Sequence, residues 1–292
     1  MDFRFILCYY YNGDGMDIKI YDDSVQDLGP SNDGFDFKKL FIIISCVIIS
    51  IILIIVYCRY KATSGLKINE YKVTSSSLPD SFHGVKVVQF SDIYFGNTVD
   101  IKYLENIVSS INSLKPDIVV FTGDFTDKVL DDETKTQVIQ VLSSINSIIG
   151  KYSIIGDIDD SVLFNELFSS SGFINLDGIS SNVYFKDNDY ITIGNEDVSS
   201  DLFNILLLHK PDDIESYSNS FDLVLAGHSL NGQINIPLLK NLFLMDGAHK
   251  YYNGYYSVNG SNLYVSTGIG TTNFKYRFNN KPSINLYRLT KY

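Results

Sequence analysis

Residues 117–127 read DIVVFTGDFTD, and this stretch decides the fold. Its first half has the apolar composition of a buried strand, and the run stops just before Asp124. Four further apolar runs end in a similar way: VVQF before Ser91-Asp92, YSII before Gly156-Asp157, ILLL before His209 and DLVLA before Gly227-His228. A single aspartate after a strand is most often a turn or helix cap, but five such endings are hard to explain in that way.

The segments between these runs have the spacing of helices. Residues 101–114 place their apolar side chains on one helical face, and residues 133–149 form a second helical stretch. Strands and helices that alternate with short loops predict an α/β fold, and the strand-rich later half predicts a second sheet packed on the first. Because the carboxyl ends of the strands in such a sheet meet in one crevice, the aspartates and histidines are expected to converge there.

Aspartate and histidine together offer oxygen and nitrogen ligands, which suit one divalent ion such as Mn²⁺, Fe²⁺, Zn²⁺ or Mg²⁺. Carboxylates that share a crevice also repel one another unless a cation lies between them. The candidate ligands are Asp92, Asp124, Asp157, His209 and His228. Two other interpretations stay open. The side chains of Asp92, Asp124, His209 and His228 could hydrogen-bond to loop backbones with no metal, and Asp157 could cap the next helix.

The charge and the cysteines exclude some functions. The 292 residues have a formal net charge of −11, and eight Asp, one Arg and one Lys in residues 1–36 account for −6 of it. Such a chain lacks the basic face that a nucleic-acid binder needs. The three cysteines are Cys8, Cys46 and Cys58, so the residues after 58 have no disulfide framework, thiol nucleophile or cysteine-ligated zinc.

Residues 40–58 (LFIIISCVIISIILIIVYC) contain no charge and would span roughly 28 Å as a helix, close to the thickness of a bilayer core. A cleaved signal peptide is the alternative, but the run is too long, starts late and is followed by Arg59, Tyr60 and Lys61. We therefore predict four parts: an acidic, weakly ordered tail (1–39), a transmembrane helix (40–58), a linker (59–80) and a large domain (81–292).

The segments SDIYFG, FTGDFTD, YSIIGDIDD, ILLLHKPD and DLVLAGHSLNGQI resemble, in order and spacing, the five motifs of calcineurin-like metallophosphoesterases. The subgroup that they resemble most is that of small membrane-anchored bacterial phosphoesterases, from about Tyr71 to the C-terminus. The resemblance implies a two-sheet αββα sandwich that hydrolyses a phosphoester or pyrophosphate. It also implies two partners: a membrane and a phosphorylated lipid- or nucleotide-linked small molecule.

Three positions depart from the family motifs. Tyr94 and Leu230 stand where the first and fifth motifs have the histidines of one metal site, and Ile158 replaces the leaving-group histidine of the third. The four positions of the other metal site can all still ligate: Asp124, Asp157, His209 and His228. Asp92 remains from the first site, while Asp127 and Asp159 are expected to support the loops. The resemblance therefore implies one divalent metal, an empty second site and no confident catalytic residue.

Three functions stay open at this stage. The chain is a phosphoesterase with reduced or absent activity, a pseudoenzyme that binds a phosphorylated ligand, or a membrane-tethered protein-interaction module. Members of the subgroup usually place the domain outside the cytoplasm. The basic residues argue for the opposite orientation, since Lys38 and Lys39 precede the helix whereas four follow it: Arg59, Lys61, Lys67 and Lys72.

Overall fold

The structure is a computed structural model that describes residues 6–12, 15–21, 37–186, 188–196 and 202–292. The chain forms two compact units, Met1–Leu53 and Ile54–Tyr292. In the first unit, β1 (Ile6–Asn12) and β2 (Gly15–Tyr21) pair in an antiparallel hairpin. Part of the tail predicted to be weakly ordered is therefore a hairpin, since MDIKIY alternates apolar and polar residues as a strand does. The rest of that prediction, up to residue 36, lies outside the described residues.

The helix α1 (Phe37–Val56) begins at Phe37 rather than at Leu40 and continues through a π-helical turn (Tyr57–Lys61). Together these 25 residues are long and apolar enough to cross a membrane, with a mean hydropathy of 3.3 in the most apolar window and none of that window buried. The predicted membrane-spanning segment is thus a continuous helix, whose exposed apolar surface matches a lipid environment.

The elements of the large domain alternate as the sequence predicts. In chain order they are β3 (Lys67–Ser75), β4 (Lys86–Phe90), α2 (Ile101–Ser113), β5 (Ile118–Thr122), α3 (Asp132–Ser143), β6 (Gly150–Ile154), α4 (Ser161–Ser170), β7 (Ile174–Asn175), β8 (Ser180–Tyr184), β9 (Tyr190–Gly194), β10 (Asn204–Leu208), β11 (Leu223–Ala226), β12 (Gly254–Val258), β13 (Ser261–Val265) and β14 (Ser283–Lys291).

These strands form two six-stranded mixed sheets. The first has the order β3-β14-β4-β5-β6-β7, and the second has the order β12-β13-β11-β10-β9-β8. Strands β4 to β7 run parallel in the first sheet, as do β9, β10, β11 and β13 in the second. The carboxyl ends of β4, β5 and β6, and likewise those of β10 and β11, therefore lie at one edge of their sheet.

The buried apolar side chains form three clusters. They do so because successive side chains of a strand point to opposite faces of its sheet. Val87 and Val120 of the first sheet pack against Leu207 of the second in one buried cluster between the sheets. The neighbouring residues Val88 and Val119 point the other way, into a cluster with the three helices α2, α3 and α4. The outer face of the second sheet is covered by a short 3-10 helix (Pro211–Ser216) and loops. The predicted two-sheet α/β sandwich is confirmed.

One domain boundary differs from the prediction. Residues 59–80 were predicted as a linker, but β3 lies within this range and pairs in parallel with β14 over nine residues, Lys67 to Ser75. The mostly polar KINEYKVTS hides the strand pattern, because an edge strand of this kind is largely exposed and buries only Val73 fully. The sheet therefore begins at Lys67, before residue 81.

Candidate metal centre

The five predicted strand endings place their side chains in sharp loops. Asp92, Asp124 and His228 have positive φ angles of 54°, 62° and 64°, a region that residues with a Cβ rarely occupy. Such strained backbone persists where the surrounding structure enforces it, and it is common at functional sites. The loops also approach closely, since a Cβ on Gly156 would lie 2.2 Å from the backbone nitrogen of Asp124. Only glycine fits at position 156.

Three of the five predicted ligands meet at one point. One ligand atom from each of Asp124, His209 and His228 lies within 4.8 Å of the others. Nε2 of His209 is 3.2 Å from Oδ1 of Asp124 and 3.2 Å from Nδ1 of His228. A carboxylate and two imidazoles at this spacing fit a divalent cation.

Both imidazoles are oriented by their outer nitrogens. Nδ1 of His209 donates to the carbonyl of Thr122 at 2.9 Å, and Nε2 of His228 donates to the carbonyl of Asp246 at 2.7 Å. A carbonyl can only accept, so each of these nitrogens carries the hydrogen and the inner nitrogen of each ring faces the cluster. This arrangement is the usual way in which proteins fix metal-binding histidines.

Asp157 lies beside this cluster and contacts a lysine. Its Oδ2 is 2.8 Å from Nζ of Lys210 and 3.8 Å from Nδ1 of His228, and its side chain is 46% exposed. The hydrogen bond to Asp157 is the main cause that raises the pKa of Lys210 above its usual value. Lys210 therefore places a positive charge at the mouth of the cluster.

Asp92 is fully buried and already holds hydrogen bonds. It accepts from the Ser91 hydroxyl and, at 2.9 Å, from the backbone N–H of His228. Burial and then the nearby charge of Asp124 raise the pKa of Asp92 to about 7. Asp92 thus helps to hold the His228 loop in place.

Tyr94 and Leu230 fill the positions that differ from the family motifs. The Tyr94 hydroxyl donates to Oδ2 of Asp124 at 2.7 Å, and its pKa lies well above the usual range because of burial and the charges of Asp124 and Asp92. It is therefore a neutral phenol. Leu230 is fully buried, and its Cδ2 lies 2.5 Å from where a Cβ on Gly268 would be. It offers no ligand atom.

The two supporting aspartates behave differently. Asp159 accepts four backbone hydrogen bonds of 2.7 to 3.0 Å, and these join the second-motif loop to the third. Their donors are the N–H groups of Asp124, Phe125, Thr126 and Gly156. Asp127 instead forms an ion pair of 2.9 Å with Lys128. Asp159 therefore orients the Asp124 loop, a role that the sequence suggested for Asp127 as well.

Ile158 takes part through its backbone. Its N–H donates to Oδ1 of Asp124 at 3.2 Å, and its side chain lines an open groove of about 340 Å³ together with Val129, Leu130 and Val162. An isoleucine side chain cannot donate a proton to a leaving group.

Arg277 is not among the residues predicted from the sequence, yet it is fully buried beside the site. Its guanidinium donates four hydrogen bonds of 2.8 to 3.1 Å to the carbonyls of Thr267 and Gly270. Burial lowers the pKa of Arg277 to about 10, whereas the charge of Asp92 acts to raise it. The positive charge of buried Arg277 thus partly compensates the negative charge of Asp92. In the sequence, Arg277 lies within FKYRF, and a charged residue inside such an aromatic run is the signal that could have pointed to it.

Comparisons with known proteins bear on the family of this fold. The sequence profile of the calcineurin-like phosphoesterases matches residues 85–264. The chain belongs to this family. It is 30% identical over 253 residues to YkuE of Bacillus subtilis, an uncharacterised metallophosphoesterase, and the match covers 80% of the chain and 88% of that protein.

Two other relatives in this phosphoesterase family add context. A zebrafish transmembrane protein with a metallophosphoesterase domain is 28% identical over 74% of the chain and 55% of its own length. The UDP-2,3-diacylglucosamine pyrophosphatase LpxG of Chlamydia trachomatis is 34% identical over 86 residues, which is 28% of the chain and 26% of that enzyme. The first relative is consistent with the apolar helix α1, and the second is named for a pyrophosphate substrate with two acyl chains.

The pKa of His209 leads to a prediction about pH. Burial lowers this pKa, but the hydrogen bond and the charge of Asp124 outweigh it and raise the pKa from 6.5 to about 9. A raised histidine pKa stabilises the fold fully below pH 6.5, and that contribution is lost as the pH rises through about 9. The melting temperature of the metal-free protein should therefore fall across this window. Metal affinity should rise there, by up to about tenfold per pH unit, because the ligand must lose its proton.

The measurement is thermal melting of the full chain at several pH values, with and without Mn²⁺. The variant His209→Gln, which cannot take up a proton, serves as the control and should lose the pH dependence in this window. An unchanged pH dependence in that variant would show that another group causes it.

Proposed function

We propose that this phosphoesterase-family protein is anchored in a membrane, binds one divalent cation, and hydrolyses phosphoesters weakly or not at all. The observation that carries the proposal is the contact between the Tyr94 hydroxyl and Oδ2 of Asp124, at 2.7 Å. Oδ1 of the same carboxylate faces His209. One side of Asp124 is thus directed at a ligand set, and the other is closed by a neutral hydroxyl.

The residues that would hold the cation are Asp124, His209 and His228, with Asp157 as a fourth ligand once its carboxylate turns from Lys210. The chemistry that a bound divalent cation supplies is polarisation of a phosphoryl oxygen. The side around Asp92 does not fit a second ion, because Leu230 has no ligand atom and both oxygens of Asp92 accept other hydrogen bonds. Since Ile158 cannot protonate a leaving group, the residues of this chain supply no general acid there.

A second candidate function is binding of a phosphorylated ligand without turnover, and Lys210 favours it. Its ammonium lies 2.8 Å from Asp157 at the mouth of the cluster, where it can attract a phosphoryl oxygen. The name of the Chlamydia relative supports a lipid-linked phosphate as the ligand class. We place the large domain on the extracytoplasmic side on the basis of the subgroup resemblance, although the count of basic residues favours the cytoplasm.

The test is a metal count on the full-length protein in detergent, loaded with Mn²⁺, dialysed and measured by mass spectrometry. We expect about one Mn²⁺ per chain, because Asp124, His209 and His228 converge at one point. Asp124→Ala should abolish binding. Asp127→Ala removes a carboxylate three residues away that contacts Lys128 instead, and it should leave the count unchanged.

Phosphate binding is measured on the same samples by calorimetry. Two bound metals per chain would contradict the proposed loss of one site. Failure to bind either Mn²⁺ or phosphate would reject the proposal and leave the membrane-tethered interaction module. Replacement of the three native cysteines by serine leaves a cysteine introduced at exposed Val129 as the one thiol. Labelling of this thiol with a membrane-impermeant reagent in intact cells tests the orientation, and protection from the reagent would contradict it.

A further inference from the structure

Residues 236–244 (IPLLKNLFL), here called the leucine loop, expose apolar side chains. Leu238 is 102% exposed and Leu242 is 78% exposed. Leu238 also has a φ of 69°, which leucine rarely adopts. Lys240 carries the one charge of the loop, and its ammonium lies 3.8 Å from the ring centroid of Tyr252. The charge is held against the domain while the leucines point outward, and exposed apolar patches of this kind mark interaction surfaces.

Both ends of the leucine loop are held by hydrogen bonds, and one of these ends lies at the metal centre. Before the loop, the chain forms a tight turn after His228. The side chain of Gln233 is buried and donates hydrogen bonds to the carbonyls of Phe274 and Tyr276. After the loop, the carbonyl of Asp246 accepts from Nε2 of His228 at 2.7 Å. The loop is therefore fixed at both ends, and its C-terminal end lies beside a predicted metal ligand.

The start of the loop is also connected to the end of the membrane helix. The backbone N–H of Arg277 donates to the carbonyl of Cys58 at 3.1 Å, and Cys58 is the last residue of the apolar run. The next residue, Phe278, accepts a backbone hydrogen bond of 2.9 Å from Asn235, directly before the loop. Exposed Tyr57 and Tyr60 flank Cys58, and tyrosines of this kind are typical of the membrane–water interface.

We propose that the leucine loop inserts into the interfacial region of the same bilayer that α1 crosses. Two backbone hydrogen bonds connect the start of the loop to Cys58, the last residue of the apolar run. The bilayer that α1 crosses is therefore the apolar phase nearest to the leucines. Insertion would hold the His228 loop at the membrane surface. A consequence that rests on the proposed function is that the site receives phosphate groups carried by lipids rather than by molecules free in solution.

The experiment uses the absence of tryptophan from the sequence. Leu242→Trp and Leu238→Trp each give the full-length chain a single tryptophan, and Val129→Trp is the control at a loop position that is 99% exposed. Each variant is placed in nanodiscs of phosphatidylcholine and phosphatidylglycerol, with and without bromine-labelled acyl chains. We expect emission from positions 238 and 242 to be blue-shifted and quenched by the bromines about threefold more strongly than emission from position 129.

Equal quenching at all three positions would overturn the proposal. A blue shift without quenching would do so too, because it would mean that the loop folds onto protein instead of lipid. Quenching needs neither a metal nor turnover, so failure of the proposed metal binding or phosphate binding would leave this result unaffected.

Discussion

Replacement of Tyr94, Ile158 and Leu230 together by histidine is expected to raise the hydrolysis of an aryl phosphodiester by on the order of 10²- to 10⁴-fold. Tyr94→His removes the hydroxyl that donates to Oδ2 of Asp124, and Leu230→His adds an imidazole in a buried position beside Gly268. Both changes supply ligands near Asp92. Ile158→His adds a group that can protonate a leaving oxygen, on a residue whose backbone already bonds to Asp124.

The measurement is the initial rate of hydrolysis with Mn²⁺, together with the metal count per chain. The matched control, Tyr94→Phe with Ile158→Val and Leu230→Met, alters the same positions without adding a ligand or an acid. We expect this control to stay as slow as the wild type and the histidine variant to bind about one additional metal. If the wild type already hydrolyses the substrate as fast as the histidine variant, the three substitutions do not limit activity and the proposed loss of function is incorrect.

The convergence of the candidate ligands could be predicted from the sequence because it depends on sheet geometry. Parallel strands bring their carboxyl ends to one edge, so an Asp or His after each strand is placed by topology alone. Asp124, His209 and His228 follow this logic, and the structure brings them within 4.8 Å. The apolar runs and their helical connections also predicted an α/β fold with a second sheet packed on the first, whereas the order of the layers was implied by the family resemblance.

The contacts that decide the chemistry of the site could not be predicted in this way. The ion pair of Asp157 with Lys210 and the burial of Arg277 depend on how distant loops pack. A loop position in the sequence does not reveal whether a carboxylate will face a cation, a lysine or backbone N–H groups. Strand β3 was missed because its exposed edge residues weaken the apolar pattern on which sequence reasoning relies.

The substitution Asp159→Ala is expected to destabilise the large domain by about 3 kcal/mol, because it leaves buried backbone donors without acceptors. The carboxylate accepts from four N–H groups, and two of them belong to Asp124 and Gly156, which lie on opposite sides of the junction between two loops. Burial raises the pKa of Asp159 to about 6, so the ionised acceptor dominates at neutral pH despite its cost in desolvation. This decrease in the free energy of unfolding corresponds to a fall in melting temperature of roughly 10 °C for a domain of this size.

Thermal melting of the full chain in detergent, followed by near-ultraviolet circular dichroism, measures this effect. Asp127→Ala is the matched control, since that carboxylate is partly exposed and contacts Lys128 rather than the loop backbone. It should shift the melting temperature by no more than about 2 °C, as expected for a surface ion pair. The Asp159→Ala variant should also bind Mn²⁺ more weakly, because the backbone of Asp124 would no longer be held in its positive φ conformation of 62°. Similar melting temperatures for the two variants would mean that the loops are held by other contacts, and that Asp159 has no special role in placing Asp124.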